Sequence, residues 1–498
     1  MSRQSLLWVV SCLAMALACG SALAADVVRI DSGRLSGVAA DDVVSFKGIP
    51  FAAPPVGDLR WRPPAPPAPW PGVRAATRYG AICMQKIVAD NGRGAGPASE
   101  DCLTLNVFTP VGKTGPALPV MVWIHGGGLV NGSGTAALYD GSALARQGLV
   151  VVTINYRLGR FGFFAHPALT AEQRGAALAN YGLMDQIAAL KWVRRNIARF
   201  GGDPGNVTIF GESAGGLSVN RLMMMRQARG LFHKAIVESG AGRERGETLA
   251  RAEQAGAAFA AKLGVTAPDP AKLRAIPADA IVAAGDLDLI KGEAPILDGV
   301  LLTENPSAAF AAGRVARVPY LIGSNSLEFP GAYASPFRDL LIRLTPDARA
   351  KAVAAYGSDA SFKDHIVSDV IFGEPARTLA HDQTHNGAPV WLYRFSVVSE
   401  KAPKAVQGGA VHASDRQYVF DNLGASTWPT DGRDASLAKT ISAYWVAFAR
   451  TGNPNGSGRS AWPRYGPGDV LMNFTNHGPI AEKTPDAAAL DLIAASNH

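Results

Sequence analysis

The sequence predicts an α/β fold in which a large, mostly parallel sheet is covered by helices on both faces. Residues 120–124 and 150–154 are continuous apolar runs, which are typical of parallel strands buried on both faces. Residues 180–200 place apolar side chains at helical spacing, and further apolar runs alternate with helical patterns towards the carboxyl terminus. Such alternation indicates repeated strand–helix–strand units.

Length and composition indicate a globular chain with a large core. The 498 residues are 48% hydrophobic and 18% charged, which differs from the composition of disordered chains. Because no linker-like stretch or charge block divides the chain, residues 25–498 are expected to form one domain with insertions. The formal net charge is +7, but the basic residues are scattered, which gives no support for a nucleic-acid partner.

Residues 1–24 have the features of an export signal. Arg3 precedes the apolar run 6–17, and an A-x-A cleavage site ends at Ala24. Cys19 makes a lipoprotein the alternative, although a lipobox prefers leucine three residues before the cysteine and alanine stands there. No later apolar run is long enough to span a membrane. The mature chain is therefore expected to be secreted or periplasmic.

The remaining segments are assigned in chain order. The first mature residues predict antiparallel strands, and a proline-heavy stretch after them is irregular. Two alanine-rich helical insertions are expected over the carboxyl edge of the sheet, where open α/β sheets bind ligands. The ranges are 27–30, 33–37 and 43–46 for the first strands, 54–71 for irregular chain, 207–210, 234–237, 318–322 and 390–395 for later strands, and 245–290 and 330–380 for the insertions.

Removal of the signal leaves Cys83 and Cys102 as the cysteines of the mature chain. Two cysteines close in sequence in an exported protein suggest one disulfide that closes a loop. The alternative is a pair of free, buried thiols.

Ser213 lies in the motif Gly211-Glu212-Ser213-Ala214-Gly215, between a strand-like run and a segment with helical spacing. In a strand–turn–helix context this G-x-S-x-G motif indicates a nucleophile elbow. Glycine is needed on either side because larger side chains would collide with the strand and the helix. Ser213 is the candidate nucleophile, and the alternative is a tight turn without chemistry.

The stretch Ile124-His-Gly-Gly-Gly128, with three successive glycines, lies at the end of the apolar run 120–124. Glycines leave backbone N–H groups accessible, and a glycine triplet after a strand is one form of oxyanion hole. Gly127 and Gly128, together with Ala214 just after the serine, are the candidate donors. The alternative is a flexible loop.

A serine nucleophile needs a base and an acid that orients the base. Among nine histidines, His412 follows a late strand and loop, from which it can reach back over the sheet. It is preferred because hydrolases of this type run nucleophile, acid, histidine along the chain. Glu328 stands between them, just beyond a buried strand, although a lone glutamate there is as often a surface residue.

Ordered motifs extend along most of the mature chain. They are Phe46-Lys-Gly-Ile-Pro-Phe-Ala52 with Leu59-Arg-Trp61, Ser99-Glu-Asp-Cys-Leu-Thr-Leu-Asn-Val107, Asn155-Tyr-Arg-Leu158, Asn180-Tyr-Gly-Leu-Met-Asp-Gln186, Asn196-Ile-Ala-Arg-Phe-Gly-Gly-Asp-Pro204, Ser239-Gly240, Tyr444-Trp445, Thr451-Gly-Asn-Pro454 and Trp462-Pro463. Together with the elbow, they resemble the type-B carboxylesterases. This resemblance implies the α/β-hydrolase fold and the hydrolysis of carboxylic esters.

The resemblance also implies a role for each candidate residue. Cys83 and Cys102 are the expected disulfide pair, and Ser239 is expected to support the catalytic acid without contacting the substrate. The remaining roles are Ser213 as nucleophile, Glu328 as acid, His412 as base, and Gly127, Gly128 and Ala214 as oxyanion donors.

Two positions depart from the family pattern. The acid is often followed by glycine in the family, whereas this chain reads Glu328-Phe329-Pro330, so the loop is expected to take another course. The histidine is usually followed by glycine, where this chain has Ala413. Asp415 remains an alternative to Glu328 as the acid that orients His412.

The sequence therefore predicts a serine hydrolase that cleaves small carboxylic esters through an acyl-enzyme. Short to medium acyl chains are expected because no apolar lid is evident. A lipase or polyester hydrolase of the same fold and a non-catalytic binding module are the alternatives.

Glu212 is expected either to hold water or influence a cationic substrate, or to be an ordinary part of the elbow. With no H-E-x-x-H, paired C-x-x-C or phosphate loop in the chain, no metal or cofactor is expected.

Overall fold

A computed structural model describes residues 27–87, 94, 96–112, 115–173, 175–285, 287–288, 293–331 and 345–496. The predicted export signal, residues 1–24, lies outside the described residues, and so does part of the second predicted insertion, residues 332–344. None of the helices in the described ranges is long and apolar enough to cross a membrane.

One large sheet of eleven strands runs through the described part of the chain. Its order from edge to edge is β11-β10-β9-β8-β7-β6-β4-β5-β3-β2-β1, in the numbering that follows. The strands are β1 (Val38–Ala40), β2 (Val43–Pro50), β3 (Thr104–Pro110), β4 (Leu118–Ile124), β5 (Val150–Ile154), β6 (Gly202–Glu212), β7 (Lys234–Glu238), β8 (Tyr320–Asn325), β9 (Val390–Phe395), β10 (Val470–Thr475) and β11 (Gly478–Lys483).

The centre of this sheet is parallel and its edges are antiparallel. Neighbouring strands from β5 through β4, β6, β7, β8 and β9 to β10 all pair in parallel. β11 at one edge, and β3, β2 and β1 at the other, pair antiparallel. The carboxyl ends of the parallel strands therefore meet at one edge, where ligands of open α/β sheets bind. The predicted mostly parallel sheet is confirmed.

Helices cover both faces of the sheet, as predicted. They are α1 (Ser142–Arg146), α2 (Gly159–Gly162), α3 (Pro167–Glu172), α4 (Tyr181–Asn196), α5 (Ala214–Met224), α6 (Leu249–Lys262), α7 (Pro270–Arg274), α8 (Ala278–Ala283), α9 (Pro306–Ala311), α10 (Pro346–Ala355), α11 (Asp359–Ser368), α12 (Glu374–His385), α13 (Arg416–Val419), α14 (Gly432–Thr451) and α15 (Ala487–Ser496).

The side chains of β4 alternate between two separate cores. Val120, Val122 and Ile124 share a core with residues of α4 and α5. Met121 and Trp123 share the opposite core with residues of α1 and α14. All five side chains are fully buried, because helices cover both sides of the strand. This explains why the sequence of β4 is apolar throughout instead of alternating.

The two predicted insertions contain the expected helices. The first holds α6, α7 and α8, and the second holds α10, α11 and α12. A π-helical turn, Asp369–Gly373, joins α11 to α12 and is called the π turn below. The carboxyl-terminal helix α15 packs on α10 and α11 through an apolar cluster that includes Phe362, Ile366 and Leu490.

Two local features at the start of the chain also agree with the sequence. Val28–Ile30 and Gly33–Ser36 pair antiparallel, in a small sheet outside the main one. Cys83 and Cys102 form a disulfide bond, and both are buried in the core shared with α4 and α5. The predicted bond is confirmed.

Candidate active site

Ser213 occupies the sharp turn between β6 and α5. Its φ is 56° and its ψ is −123°, a strained backbone conformation for a residue other than glycine. A Cβ on Gly215 would lie 2.0 Å from the carbonyl oxygen of Ile124, and a Cβ on Gly211 would lie 2.6 Å from the same oxygen. The turn can therefore form only with glycine at both positions, which is the physical content of the G-x-S-x-G spacing.

Ser213, His412 and Glu328 form one hydrogen-bonded chain. Nε2 of His412 lies 2.9 Å from Oγ of Ser213, and Nδ1 of His412 lies 2.7 Å from Oε2 of Glu328. The three residues are far apart in sequence but follow the carboxyl ends of β6, β8 and β9, which meet at one edge of the sheet. The structure thus brings together the predicted nucleophile, acid and base.

The carboxylate of Glu328 is buried and held by two further donors. The hydroxyl of Ser239 donates to Oε1 at 2.6 Å, and the backbone N–H of Asn325 donates to the same oxygen at 2.8 Å. The backbone N–H of His412 also donates to the carbonyl oxygen of Glu328 at 2.8 Å. The resemblance pointed to Ser239. Asn325 was missed, and the only signal for it was its position at the end of the strand, three residues before the acid.

Asp415 is buried close to this group but does not contact the imidazole among the described residues. Its Oδ1 lies 3.4 Å from the amide nitrogen of Asn325. Burial, together with the nearby carboxylates of Glu212 and Glu328, raises the pKa of Asp415 to about 7. Because Glu328 accepts the Nδ1 proton of His412, the geometry favours Glu328 over Asp415 as the orienting acid.

A second carboxylate faces the imidazole from the elbow. Oε1 of Glu212 lies 3.3 Å from Nε2 of His412, and Oε2 lies 3.9 Å from Nε of Arg416. Arg416 in turn donates to the hydroxyl of Tyr139 at 2.7 Å. Burial lowers the pKa of His412, but the charge of Glu212 and the hydrogen bond to Glu328 outweigh it, so this pKa rises to about 9. No pattern in the sequence pointed to Arg416 or Tyr139.

The glycine loop runs directly beside the nucleophile. A Cβ on Gly126 would lie 3.1 Å from Cβ of Ser213. Gly127 and Gly128 have φ values of 106° and 61°, a region that favours glycine. No described residue accepts a hydrogen bond from the N–H of either glycine, and the N–H of Ala214, first residue of α5, has no acceptor within the helix. These three N–H groups are available to a ligand oxygen.

His125 anchors the glycine loop through two hydrogen bonds. The Nδ1–H of His125 donates to the carbonyl oxygen of Gly126 at 2.8 Å, and the hydroxyl of Tyr156 donates to the backbone carbonyl oxygen of His125 at 2.7 Å. Burial lowers the pKa of His125 to about 4, so the ring is neutral at neutral pH.

Both departures from the family pattern lie at this site. Ala413 adopts a φ of 66°, so the histidine loop keeps a left-handed conformation that costs about 1 kcal/mol without glycine. Phe329 turns its ring against His412, at 4.8 Å between ring centroids. Within the described ranges, no group of three or more His, Cys, Asp or Glu side chains is arranged to hold a metal ion.

Comparisons with known proteins point to one family. Residues 24–343 and 344–489 match the model of the carboxylesterase family. The chain is 41% identical over 465 residues to the para-nitrobenzyl esterase of Bacillus subtilis, covering 88% of this chain and 92% of that protein. It is 39% identical over 476 residues to the fumonisin B1 esterase of Sphingopyxis macrogoltabida, covering 90% of this chain and 86% of that protein. The solved structure of a thermophilic PNB esterase superposes with a TM-score of 0.83 at 35% identity, covering 94% of this chain and 99% of that chain.

Proposed function

The chain belongs to the carboxylesterase family and is a carboxylic ester hydrolase, and we propose that Ser213, His412 and Glu328 are the residues that perform this hydrolysis. The observation that carries the proposal is the continuous hydrogen-bonded chain, with 2.9 Å between Ser213 and His412 and 2.7 Å between His412 and Glu328.

In the first half of the proposed reaction, Oγ of Ser213 attacks the ester carbonyl carbon while Nε2 of His412 accepts its proton. The carbonyl oxygen becomes negative and accepts hydrogen bonds from the N–H groups of Gly127, Gly128 and Ala214. Glu328 stabilises the imidazolium. The carbon–oxygen bond to the alcohol then breaks, the alcohol leaves with the proton from Nε2, and the acyl group stays on Ser213.

In the second half, water attacks the acyl carbonyl and gives a proton to Nε2 of His412. The bond to Ser213 breaks, and Oγ takes back the proton from the imidazolium. The carboxylic acid leaves, and the starting state of all three residues is restored, so no cofactor is consumed.

We further propose that the substrates are small esters with short to medium acyl chains. One relative is named for a para-nitrobenzyl ester and another for fumonisin B1, which makes these two the first substrates to test. A lipase or polyester hydrolase is the alternative. Nitrophenyl esters of increasing acyl length distinguish them, because a sustained preference for long, emulsified chains would support a lipase.

Export of the mature chain, residues 25–498, as a single domain is also part of the proposal. The disulfide between Cys83 and Cys102 supports it, since such bonds persist in oxidising compartments. Amino-terminal sequencing of the protein recovered outside the cytoplasm should give Ala25 as the first residue.

The decisive test of the proposed residues is labelling with a fluorophosphonate, followed by mapping of the modified peptide. The label should lie on Ser213, and Ser213→Ala should abolish both labelling and hydrolysis of nitrophenyl acetate while the circular dichroism spectrum is unchanged. Ser442→Ala is the matched control, because this buried serine lies on α14. Wild-type turnover by Ser213→Ala would refute the nucleophile.

A further inference from the structure

Two phenylalanine rings lie against the imidazole of His412. The centroid of Phe329 is 4.8 Å from that of the imidazole, and the centroid of Phe372 is 5.0 Å away with an angle of 20° between the planes. The two phenyl centroids are 5.7 Å apart. The three rings therefore form a triangle, and each contact has the spacing of a stabilising aromatic pair.

Both phenylalanines are fixed by groups outside the hydrogen-bonded chain. The backbone N–H of Phe329 donates to the hydroxyl of Ser368, the last residue of α11, at 3.2 Å. Phe372 is buried and belongs to the π turn, a type of helix irregularity that is frequent at functional sites. The hydroxyl of Tyr356 donates to Asp369 of that turn at 2.6 Å. The position of each ring is thus set by the second insertion.

The imidazole needs such control because Nε2 has two oxygen neighbours. Oγ of Ser213 lies at 2.9 Å and Oε1 of Glu212 lies at 3.3 Å. Only the first contact is productive, because the proton must pass from Oγ to the ring and then to the leaving alcohol. Glu328 holds the ring at Nδ1, but a ring held at one nitrogen can still pivot about that bond. Once the ring is a cation, Coulomb attraction favours a swing towards the carboxylate of Glu212.

We propose that Phe329 and Phe372 form an aromatic clamp that keeps Nε2 of His412 directed at Ser213 and stabilises the imidazolium through their π faces. Both are positioning residues, since they contact the base and not the reacting atoms. The clamp rests on the proposed role of His412 as the base. Phe329 stands at a position where the family pattern often has glycine. This part of the clamp therefore departs from the family pattern.

The test removes each ring while keeping an apolar side chain. In Phe372→Leu and Phe329→Leu we expect kcat for nitrophenyl acetate to fall about tenfold, with KM within about twofold, as expected for loss of a desolvated cation–π contact. The acid limb of the pH profile of kcat/KM should move to lower pH, because the imidazolium loses stabilisation. Phe372→Tyr keeps the ring and should restore both kcat and the position of the limb.

Phe362→Leu is the matched control, because Phe362 is buried in the same insertion but packs on Tyr356 and α15 instead of His412. It should lower the thermal stability without moving the pH profile. If Phe372→Leu and Phe329→Leu change the pH profile no more than Phe362→Leu does, the clamp is refuted. Should Phe372→Leu fail to fold, Phe329→Leu on its partly exposed loop decides the question by itself. Wild-type turnover by Ser213→Ala would instead contradict the proposed function, so the two failures are distinguishable.

Discussion

The hydroxyl of Ser239 donates to one carboxylate oxygen of Glu328 at 2.6 Å, while the other oxygen accepts the hydrogen of His412 at 2.7 Å. Ser239 follows β7 and Glu328 follows β8, so neighbouring strand ends fix the orientation of the carboxylate. A buried charge is tolerated only when hydrogen bonds replace its water. The backbone N–H of Asn325 supplies a further hydrogen bond to the carboxylate of Glu328.

Replacement of Ser239 by alanine should therefore weaken both stability and catalysis. We expect the free energy of unfolding to fall by about 1–3 kcal/mol, the usual effect of removing a hydrogen bond to a buried charged group. We expect kcat to fall with little change in KM, because the carboxylate is less firmly oriented against His412. Urea unfolding and steady-state kinetics measure the two effects. Ser442→Ala, which removes a buried serine from α14, is the control, and equal kcat in both variants would contradict the role of Ser239.

The parts of the fold and site that could be predicted are those whose geometry depends on consecutive residues. The elbow needs Gly211 and Gly215 around Ser213, and the oxyanion loop needs successive glycines, so both appear as short motifs. Strands buried on both faces are apolar throughout, which made β4 and β5 visible. Their boundaries were less accurate where the chain is polar, because β6 begins at Gly202, five residues before the predicted 207.

The contacts that could not be predicted join distant segments through side chains with no periodic signal. Tyr139 and Arg416 meet across 277 positions, and Phe372 reaches His412 from an insertion whose packing the sequence does not specify. The choice between Glu328 and Asp415 was open for the same reason. Both carboxyls follow β-strands, and they are distinguished by the contact of Glu328 with Nδ1 of His412 and by the donors that Ser239 and the backbone of Asn325 supply to Glu328.

Replacement of Gly215 by alanine should disrupt the elbow. The added Cβ would meet the carbonyl oxygen of Ile124 at 2.0 Å, and this backbone atom belongs to the central strand β4, which cannot move aside. We expect a loss of about 3 kcal/mol or more in unfolding free energy, together with loss of activity. Gly432→Ala is the matched control, because a Cβ there has open space around it and should leave stability unchanged or slightly higher. Wild-type stability of Gly215→Ala would show that the turn is less constrained than the structure indicates.

Removal of the disulfide should reduce stability without altering the chemistry. Cys83 and Cys102 are separated by 19 positions, and the loss of a cross-link of this length costs about 3 kcal/mol through the entropy of the unfolded chain. We expect Cys83→Ala/Cys102→Ala to unfold at lower urea concentration than the oxidised wild type, and at a concentration similar to that of the reduced wild type. Its kcat at low temperature should stay within about twofold. An unchanged urea midpoint would mean that the bond does not form in the isolated protein.

The pH profile should reveal the second carboxylate beside the base. The charge of Glu212 is the largest influence that raises the pKa of His412, which reaches about 9 although burial alone would lower it. A protonated imidazole cannot accept the proton of Ser213, so kcat/KM should fall as the pH falls through a value well above 6.5. In Glu212→Gln this acid limb should move to lower pH by about one to two units, because an uncharged amide no longer favours the cation. Glu304→Gln, which removes a carboxylate paired with Arg314 on the surface, should leave the limb in place. An unchanged limb in Glu212→Gln would mean that this carboxylate does not act on the free enzyme's imidazole, and the orientation of His412 would then depend on Glu328 and the two phenylalanine rings alone.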